Sequence, residues 1–127
     1  MQQGWTWQSF LSWAFGPRRL AHIAVLVDDA QRRIQFLEEV PDATAVRDHL
    51  RLTLREIGTR CEGLLLRNEA DVANSLGSLA AAGRTEAEYC DRLRTGCAAL
   101  ERMIGRRLAT MAWLLRLAPA DESKAAA

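Results

Sequence analysis

The sequence is almost without lysine, because Lys124 is the only lysine beside 16 arginines in 127 residues. We interpret this imbalance as the composition of a GC-rich, bacterial genome. A guanidinium also differs in chemistry from an ammonium group, since it binds carboxylates and phosphates through paired hydrogen bonds. The 17 basic and 16 acidic residues leave a net charge of only +1. A nucleic-acid or anionic-membrane partner would therefore need a local basic patch.

Cysteine is also scarce, and Cys61, Cys90 and Cys97 form no Cys-x-x-Cys pair. An odd number of scattered cysteines argues against a disulfide framework and favours a reducing compartment. The N-terminus lacks the basic start and cleavage site of a signal peptide. No apolar run reaches the roughly 20 residues that a membrane span needs. These absences together predict a cytoplasmic protein.

Motifs for catalysis and cofactor binding are missing too. The sequence contains neither a Walker-type loop nor Gly-x-Gly-x-x-Gly. Neither His22 nor His49 follows a glutamate by three residues, as a di-iron bundle would require. The cysteine spacing provides no zinc ligand set, so the cysteines fit better as small core residues. We expect a non-enzymatic protein without a cofactor or a bound metal.

Helical periodicity is the main pattern that the sequence does contain. Apolar residues return every three or four positions in three long segments, and no strand-like alternation is sustained. The length suits one domain. The sequence therefore predicts an all-α fold: an antiparallel helical bundle of three to four main helices plus a short aromatic N-terminal helix.

The predicted domain covers residues 1–118, and a frayed tail follows at 119–127. Its helices are predicted at 5–15, 18–39, 43–82 and 86–118. Gly16-Pro17 separates the first two, Asp42 is the predicted cap of the third, and a capping box at 85–88 opens the last. Residues 43–82 form either one helix or two, and we prefer a break near 67–68.

The predicted core residues share one face of each segment. They are Leu20, Ile23, Ala24, Val27, Ala30 (or Gln31), Ile34, Leu37, Val46, Leu50, Leu54 (or Thr53), Ile57, Cys61, Leu64, Leu65, Val72, Leu76, Leu79, Tyr89, Leu93, Cys97 (or Gly96), Leu100, Ile104, Leu108, Met111 and Leu115. On the opposite face of the second segment, Asp28 and Asp29 are predicted to pair with Arg32 and Arg33 at i,i+4.

Aromatic residues are concentrated at the N-terminus. Five of the eight lie in the first fifteen positions: Trp5, Trp7, Phe10, Trp13 and Phe15. One interpretation is that this segment lies across the bundle and covers one open end of the core. A second is an exposed anchor that inserts into a groove on another protein, because Trp-rich patches dominate interface energies. The least favoured is a helix lying in a membrane interface.

Arginines form two rows. Arg47, Arg51 and Arg55 recur at every fourth position, so they line one helix face and repel one another. Acidic residues of a neighbouring helix could compensate them, with Asp28, Asp29, Glu38 and Glu39 as the candidates. The alternative is an anionic partner. A second row on the last segment contains Arg92, Arg102 and Arg106, and a shared face would favour a nucleic-acid groove.

These patterns lead to two hypotheses of function. The first is an adaptor or assembly protein that contacts another protein, or a second copy of itself, through the Trp-rich N-terminal segment. The alternative is a small helical subunit that binds the nucleic-acid backbone through its Arg rows.

Overall fold

The computed structural model describes the backbone of residues 7–82 and 87–126 and the side chains of residues 16–82 and 88–114. Over this part of the chain the secondary structure consists of four helices and no strand. They are α1 (Trp7–Glu39), α2 (Thr44–Gly63), α3 (Arg67–Ala81) and α4 (Ala87–Ala126). The prediction of an all-α bundle is therefore confirmed.

The four helices pack as a closed ring. Helix α1 packs on α2, α2 on α3, α3 on α4, and α4 on α1. Within the described ranges neither α1 and α3 nor α2 and α4 are in contact, so these pairs lie across the diagonals of the bundle. The short connections at 40–43 and 64–66 reverse the chain, which makes the helices that they join antiparallel.

The core consists of the stripe of side chains that each helix turns inward. Its large, fully buried members are Ile23, Val27, Ile34, Leu37, Leu50, Leu54, Ile57, Leu93, Leu100 and Ile104. All of them belong to the predicted faces. The predicted ion pairs on α1 are also confirmed. Arg32 lies 3.1 Å from the carboxylate of Asp28, and Arg33 lies 3.0 Å from that of Asp29.

Small residues supply much of the core on α3. Ala70, Ala73 and Ala80 are buried, whereas the predicted Val72 and Leu79 are only partly covered. The predicted Leu76 is buried as well, so the prediction from large apolar residues is right at Leu76 and misses the three alanines. A Cβ atom added at Gly96 of α4 would overlap the side chain of Leu76, so small residues let α3 lie close to its neighbours.

The predicted boundary between the first two helices is wrong. Helix α1 runs without a break from Trp7 to Glu39, and Pro17 lies inside it. Proline removes a single backbone donor, and the packing of the residues that follow outweighs that loss. Gly16 is buried against α4, where a Cβ atom would lie 2.5 Å from Cε of Met111. This glycine permits close packing and does not end the helix.

Other predicted helix ends also differ. Helix α4 continues to Ala126 through the predicted end near 118 and the predicted frayed tail, where alanine favours helix. Ala43 and not Asp42 precedes α2, and no side chain caps that helix. The chain between α2 and α3 leaves the helical conformation at 64–66, slightly before the preferred 67–68. The predicted capping box at 85–88 extends outside the described residues.

We predict that Leu100→Ala lowers the free energy of unfolding by about 2 to 5 kcal/mol, because Leu100 is fully buried and its removal leaves a cavity. The matched control is Leu52→Ala on α2, where the side chain is 54% exposed and the expected change is within about 0.5 kcal/mol. Urea unfolding followed by circular dichroism measures both. Equal losses in the two variants would contradict the assigned core.

Candidate functional site

A largely apolar cavity of about 390 Å³ lies at the end of the bundle where α2 turns into α3. Leu20 of α1, the connection Leu64–Leu66 and Met111 of α4 form its apolar wall. Arg19, Arg107 and Thr110 add polar groups to the lining. We call this feature the bundle-end cavity. Apolar concavities with a few polar groups are the usual form of a binding site.

The connection beside this cavity holds a leucine in an unusual conformation. Leu65 has φ of +61°, in the left-handed region that favours glycine. The backbone N–H of Leu66 donates to Cys61 O at 2.9 Å, and that of Leu65 donates to Glu62 O at 3.0 Å. These two bonds form a Schellman motif, in which glycine normally occupies the left-handed position. The turn therefore carries a strained residue whose side chain is 80% exposed.

Further apolar surface lies nearby on α4. Trp113, in the turn of α4 that follows Met111, is 58% exposed, and Leu114 is 39% exposed. The Trp-rich first part of α1, residues 7–15, joins the bundle at the same end, because its backbone helix leads directly into Gly16 on the cavity wall. The side chains of the predicted contact residues Trp7, Phe10, Trp13 and Phe15, and all of Trp5, lie outside the described residues.

An ion pair between a buried carboxylate and a half-exposed guanidinium group lies next to the bundle-end cavity. Glu69, in the first turn of α3, is 1% exposed, and its Oε2 accepts a hydrogen bond of 2.7 Å from Nε of Arg107 on α4. No group in the described part of the chain donates to Oε1 of Glu69. The hydrogen bond to Glu69 raises the pKa of Arg107. The pair therefore joins α3 to α4 at the same end of the bundle. Sequence periodicity could not identify it, because Glu69 has the character of a surface residue.

The first Arg row lies along α2 on the side that faces α3. Arg51 and Arg55 line a groove of about 260 Å³ between these helices, together with Asn74, Gly77 and Ser78 of α3. Arg47 lies at one end of the row, and its Nη2 donates to the carbonyl of Pro41 at 3.0 Å. The row thus places two guanidinium groups in one concave surface, which we call the α2/α3 groove.

The acidic residues expected to compensate this row bind elsewhere. Asp28 and Asp29 pair with arginines of α1 itself, and Glu38 pairs with Arg94 of α4. Among residues with described side chains, no carboxylate lies within 4.0 Å of a nitrogen of Arg51 or Arg55. The expectation that the Arg row is neutralised by acids of a neighbouring helix is wrong. The helix that packs on this side of the row is α3, not α1.

The second Arg row does not join the first. Arg92, Arg102 and Arg106 lie on α4, which is diagonally opposite α2. Arg92 is paired with Glu88 one turn away, at 3.1 Å. The two rows therefore do not line one common groove.

The three cysteines are buried and carry free thiols. Burial raises the pKa of Cys61 and Cys97 to about 11, and Glu69 adds to the shift at Cys61. Burial also raises the pKa of Cys90. A nucleophilic thiolate requires the opposite shift. The cysteines thus pack as small apolar side chains, as their positions on the helical faces predicted.

Comparison with protein-family models, curated proteins and solved structures finds no match for this chain. Its interpretation therefore depends on its own geometry. None of the helices, over the residues described, combines the length and apolar character that crossing a bilayer requires. The described side chains contain no group of three or more histidine, cysteine or acidic residues placed to hold a metal ion.

We predict that Leu65→Gly raises the free energy of unfolding by about 0.5 to 1 kcal/mol, because glycine adopts positive φ without strain. Thermal or urea unfolding measures the change. The matched control is Leu52→Gly, an exposed leucine inside α2, where glycine costs about 1 kcal/mol in a helix. A loss of stability in Leu65→Gly would contradict the prediction. It would show that the contacts of the Leu65 side chain stabilise the fold by more than the positive φ destabilises it.

We also predict that stability falls as the pH rises from about 9 to about 11. The thiols of the unfolded chain ionise near their ordinary pKa of 9.0, whereas Cys61 and Cys97 hold their protons to about 11 in the fold. The folded state then binds more protons than the unfolded state, so its stability is complete below pH 9 and declines above it.

Thermal unfolding across this pH range measures the effect. The control is the double variant C61A/C97A, in which the part of the decline that is due to the two thiols disappears. Tyr89, whose pKa is also raised by burial, contributes equally to both proteins and cancels in the difference. Identical pH profiles for the two proteins would contradict the prediction.

Proposed function

We propose that this chain is a non-enzymatic adaptor or assembly protein. It contacts another protein through its Trp-rich N-terminal segment and the adjoining end of the bundle. The observation that carries the proposal is the apolar surface around the bundle-end cavity. The Trp-rich first part of α1 leads directly into this surface.

The strained turn supports this assignment. A leucine at a left-handed position costs the fold about 1 kcal/mol or more, and glycine would remove that cost. An exposed leucine there also gives no burial in return, since 80% of it is accessible. Strain of this kind is concentrated at functional sites. A partner that covers the Leu65 side chain would supply the missing burial.

The composition of the surface agrees with a protein partner. Large aromatic side chains dominate interface energies, and Trp113, two residues beyond the cavity-lining Met111 on α4, is more than half exposed. Exposed apolar residues that cluster around a concavity are typical of docking sites, whereas scattered ones are ordinary. The Trp-rich N-terminal segment, which leads into this surface, contains five aromatic residues. The expected partner presents apolar side chains, either on a different protein or on a second copy of this chain.

Affinity capture from a lysate of the native host tests the proposal, with the tagged full-length chain as bait. We predict that the triple variant W5A/W7A/W13A lowers the recovery of a specific partner protein at least about tenfold, because interface tryptophans are frequent hot spots. Leu65→Gly, a variant expected to be more stable than the natural chain, should also weaken recovery. Added salt should have little effect on an apolar contact.

The control bait is R51Q/R55Q, which alters the α2/α3 groove, away from the bundle-end cavity, and should retain the partner. Sedimentation equilibrium of the purified chain tests the second-copy form of the proposal. Retention of the partner by W5A/W7A/W13A would overturn it. So would release of the partner by nuclease, or a triple variant that loses its helical spectrum while its folded fraction binds normally.

A further inference from the structure

The α2/α3 groove is lined mainly by polar side chains. Its lining has four side chains that can donate hydrogen bonds: Arg51 and Arg55 of α2, and Asn74 and Ser78 of α3. Gly77 adds no side chain and so leaves space between the two helices. The groove holds about 260 Å³, which is open to solvent and large enough for a small polyatomic ion with an attached group.

The charge of this groove is positive and uncompensated. Arg51 and Arg55 are one helical turn apart, where like charges repel by a few tenths of a kcal/mol. No carboxylate with a described position lies within 4.0 Å of either guanidinium group. One acid contacts a lining residue: Oε1 of Glu62 accepts a hydrogen bond from Nδ2 of Asn74 at 3.2 Å. Glu62 does not line the groove.

A helix contact fixes one of the donors. Gly58 of α2 is buried against Asn74, and a Cβ atom at Gly58 would overlap Oδ1 of that residue. The Asn74 amide is therefore held against α2, with one N–H directed to Glu62. An amide nitrogen carries two N–H groups, so a second donor is available beside the two arginines. The contact with Gly58 and the bond to Glu62 thus place one polar group of the groove, the Asn74 amide.

We propose that the α2/α3 groove binds a phosphate group. Two guanidinium forks, an amide and a hydroxyl offer donors in several directions, which suits a tetrahedral oxyanion with three or four acceptor oxygens. A planar carboxylate has only two oxygens and would use fewer of these donors. The inference is independent of the proposed protein partner, because the groove and the bundle-end cavity have no lining residue in common.

The footprint of the groove favours a small phosphorylated molecule over a long polyanion. Arg47 is only partly exposed and already donates to the carbonyl of Pro41, so two arginines of the row are available. The second Arg row lies on the diagonal helix α4 and cannot extend the groove. The phosphate of a nucleic-acid backbone has the same chemistry, and the experiment separates the two sources.

The test is a titration of the full-length, ¹⁵N-labelled chain with inorganic pyrophosphate, followed by amide chemical shifts. We expect saturable shifts that centre on Arg51, Arg55, Asn74 and Ser78. The double variant R51Q/R55Q should weaken binding at least about tenfold, since each charge-assisted hydrogen bond is worth about a factor of ten or more. The matched control R102Q/R106Q removes two exposed arginines with the same spacing from α4 and should bind normally.

A parallel titration with a short single-stranded oligothymidylate identifies the source of the phosphate. Tighter, steeply salt-dependent binding through the same residues would assign the groove to a nucleic-acid backbone. Weaker binding than pyrophosphate would assign it to a small phosphorylated molecule. Absence of saturable shifts with either probe overturns the proposal, as does equal weakening by R51Q/R55Q and R102Q/R106Q.

Unfolding of the unliganded variants separates a binding role from a structural one. Relief of repulsion should leave R51Q/R55Q as stable as the natural chain or slightly more stable. A clear drop in its melting temperature would show that the two arginines hold the fold, and would overturn the proposal.

Discussion

The fold depends on α3 being held between its two neighbours. This helix has only 15 residues, a length at which an isolated helix is marginal in water. Its inward side consists largely of alanines, which bury little surface, so close contact with α2 and α4 must supply its stability. The ion pair of buried Glu69 with half-exposed Arg107 adds a directed bond to α4. Helix α3 supplies a wall of the α2/α3 groove, and its leading turn borders the bundle-end cavity.

The two candidate sites have opposite physical characters. The bundle-end cavity combines apolar walls with an exposed leucine, Leu65. The α2/α3 groove is lined by guanidinium, amide and hydroxyl groups. A ring of four helices can carry both, because each groove between adjacent helices faces a different direction. The proposed protein contact and the proposed phosphate site therefore do not compete for the same surface.

Periodicity in the sequence predicts most of the fold, because large apolar residues at helical spacing have no stable place except a common interior. It fails where a residue acts through its small size. Gly16 has the form of a helix terminator, yet it is buried inside α1 where Met111 approaches. The alanine stripe of α3 has no distinctive pattern, since alanine is frequent on exposed helix faces too. Proline is likewise an unreliable sign of a helix end, because tertiary packing can outweigh one lost hydrogen bond, as at Pro17.

The candidate sites are less predictable from sequence. The spacing of Arg47, Arg51 and Arg55 correctly places them on one face, but which helix covers that face depends on the order of helices around the ring. The left-handed turn at Leu65 has no sequence signal, because glycine and not leucine is typical of that position. The Trp-rich segment is plain in the sequence, and its side chains lie outside the described residues. Its proposed role therefore depends on the surface next to it.

The contact between Gly96 and Leu76 has a consequence for a distant part of the molecule. A side chain at position 96 would meet Cδ2 of Leu76, so either the Leu76 side chain would change its rotamer or α3 would move away from α4. The opposite side of α3 carries Asn74 and Ser78, so a movement of the helix would narrow their spacing from Arg51 and Arg55. The absence of a side chain at position 96 thus bears on a groove that α4 does not line.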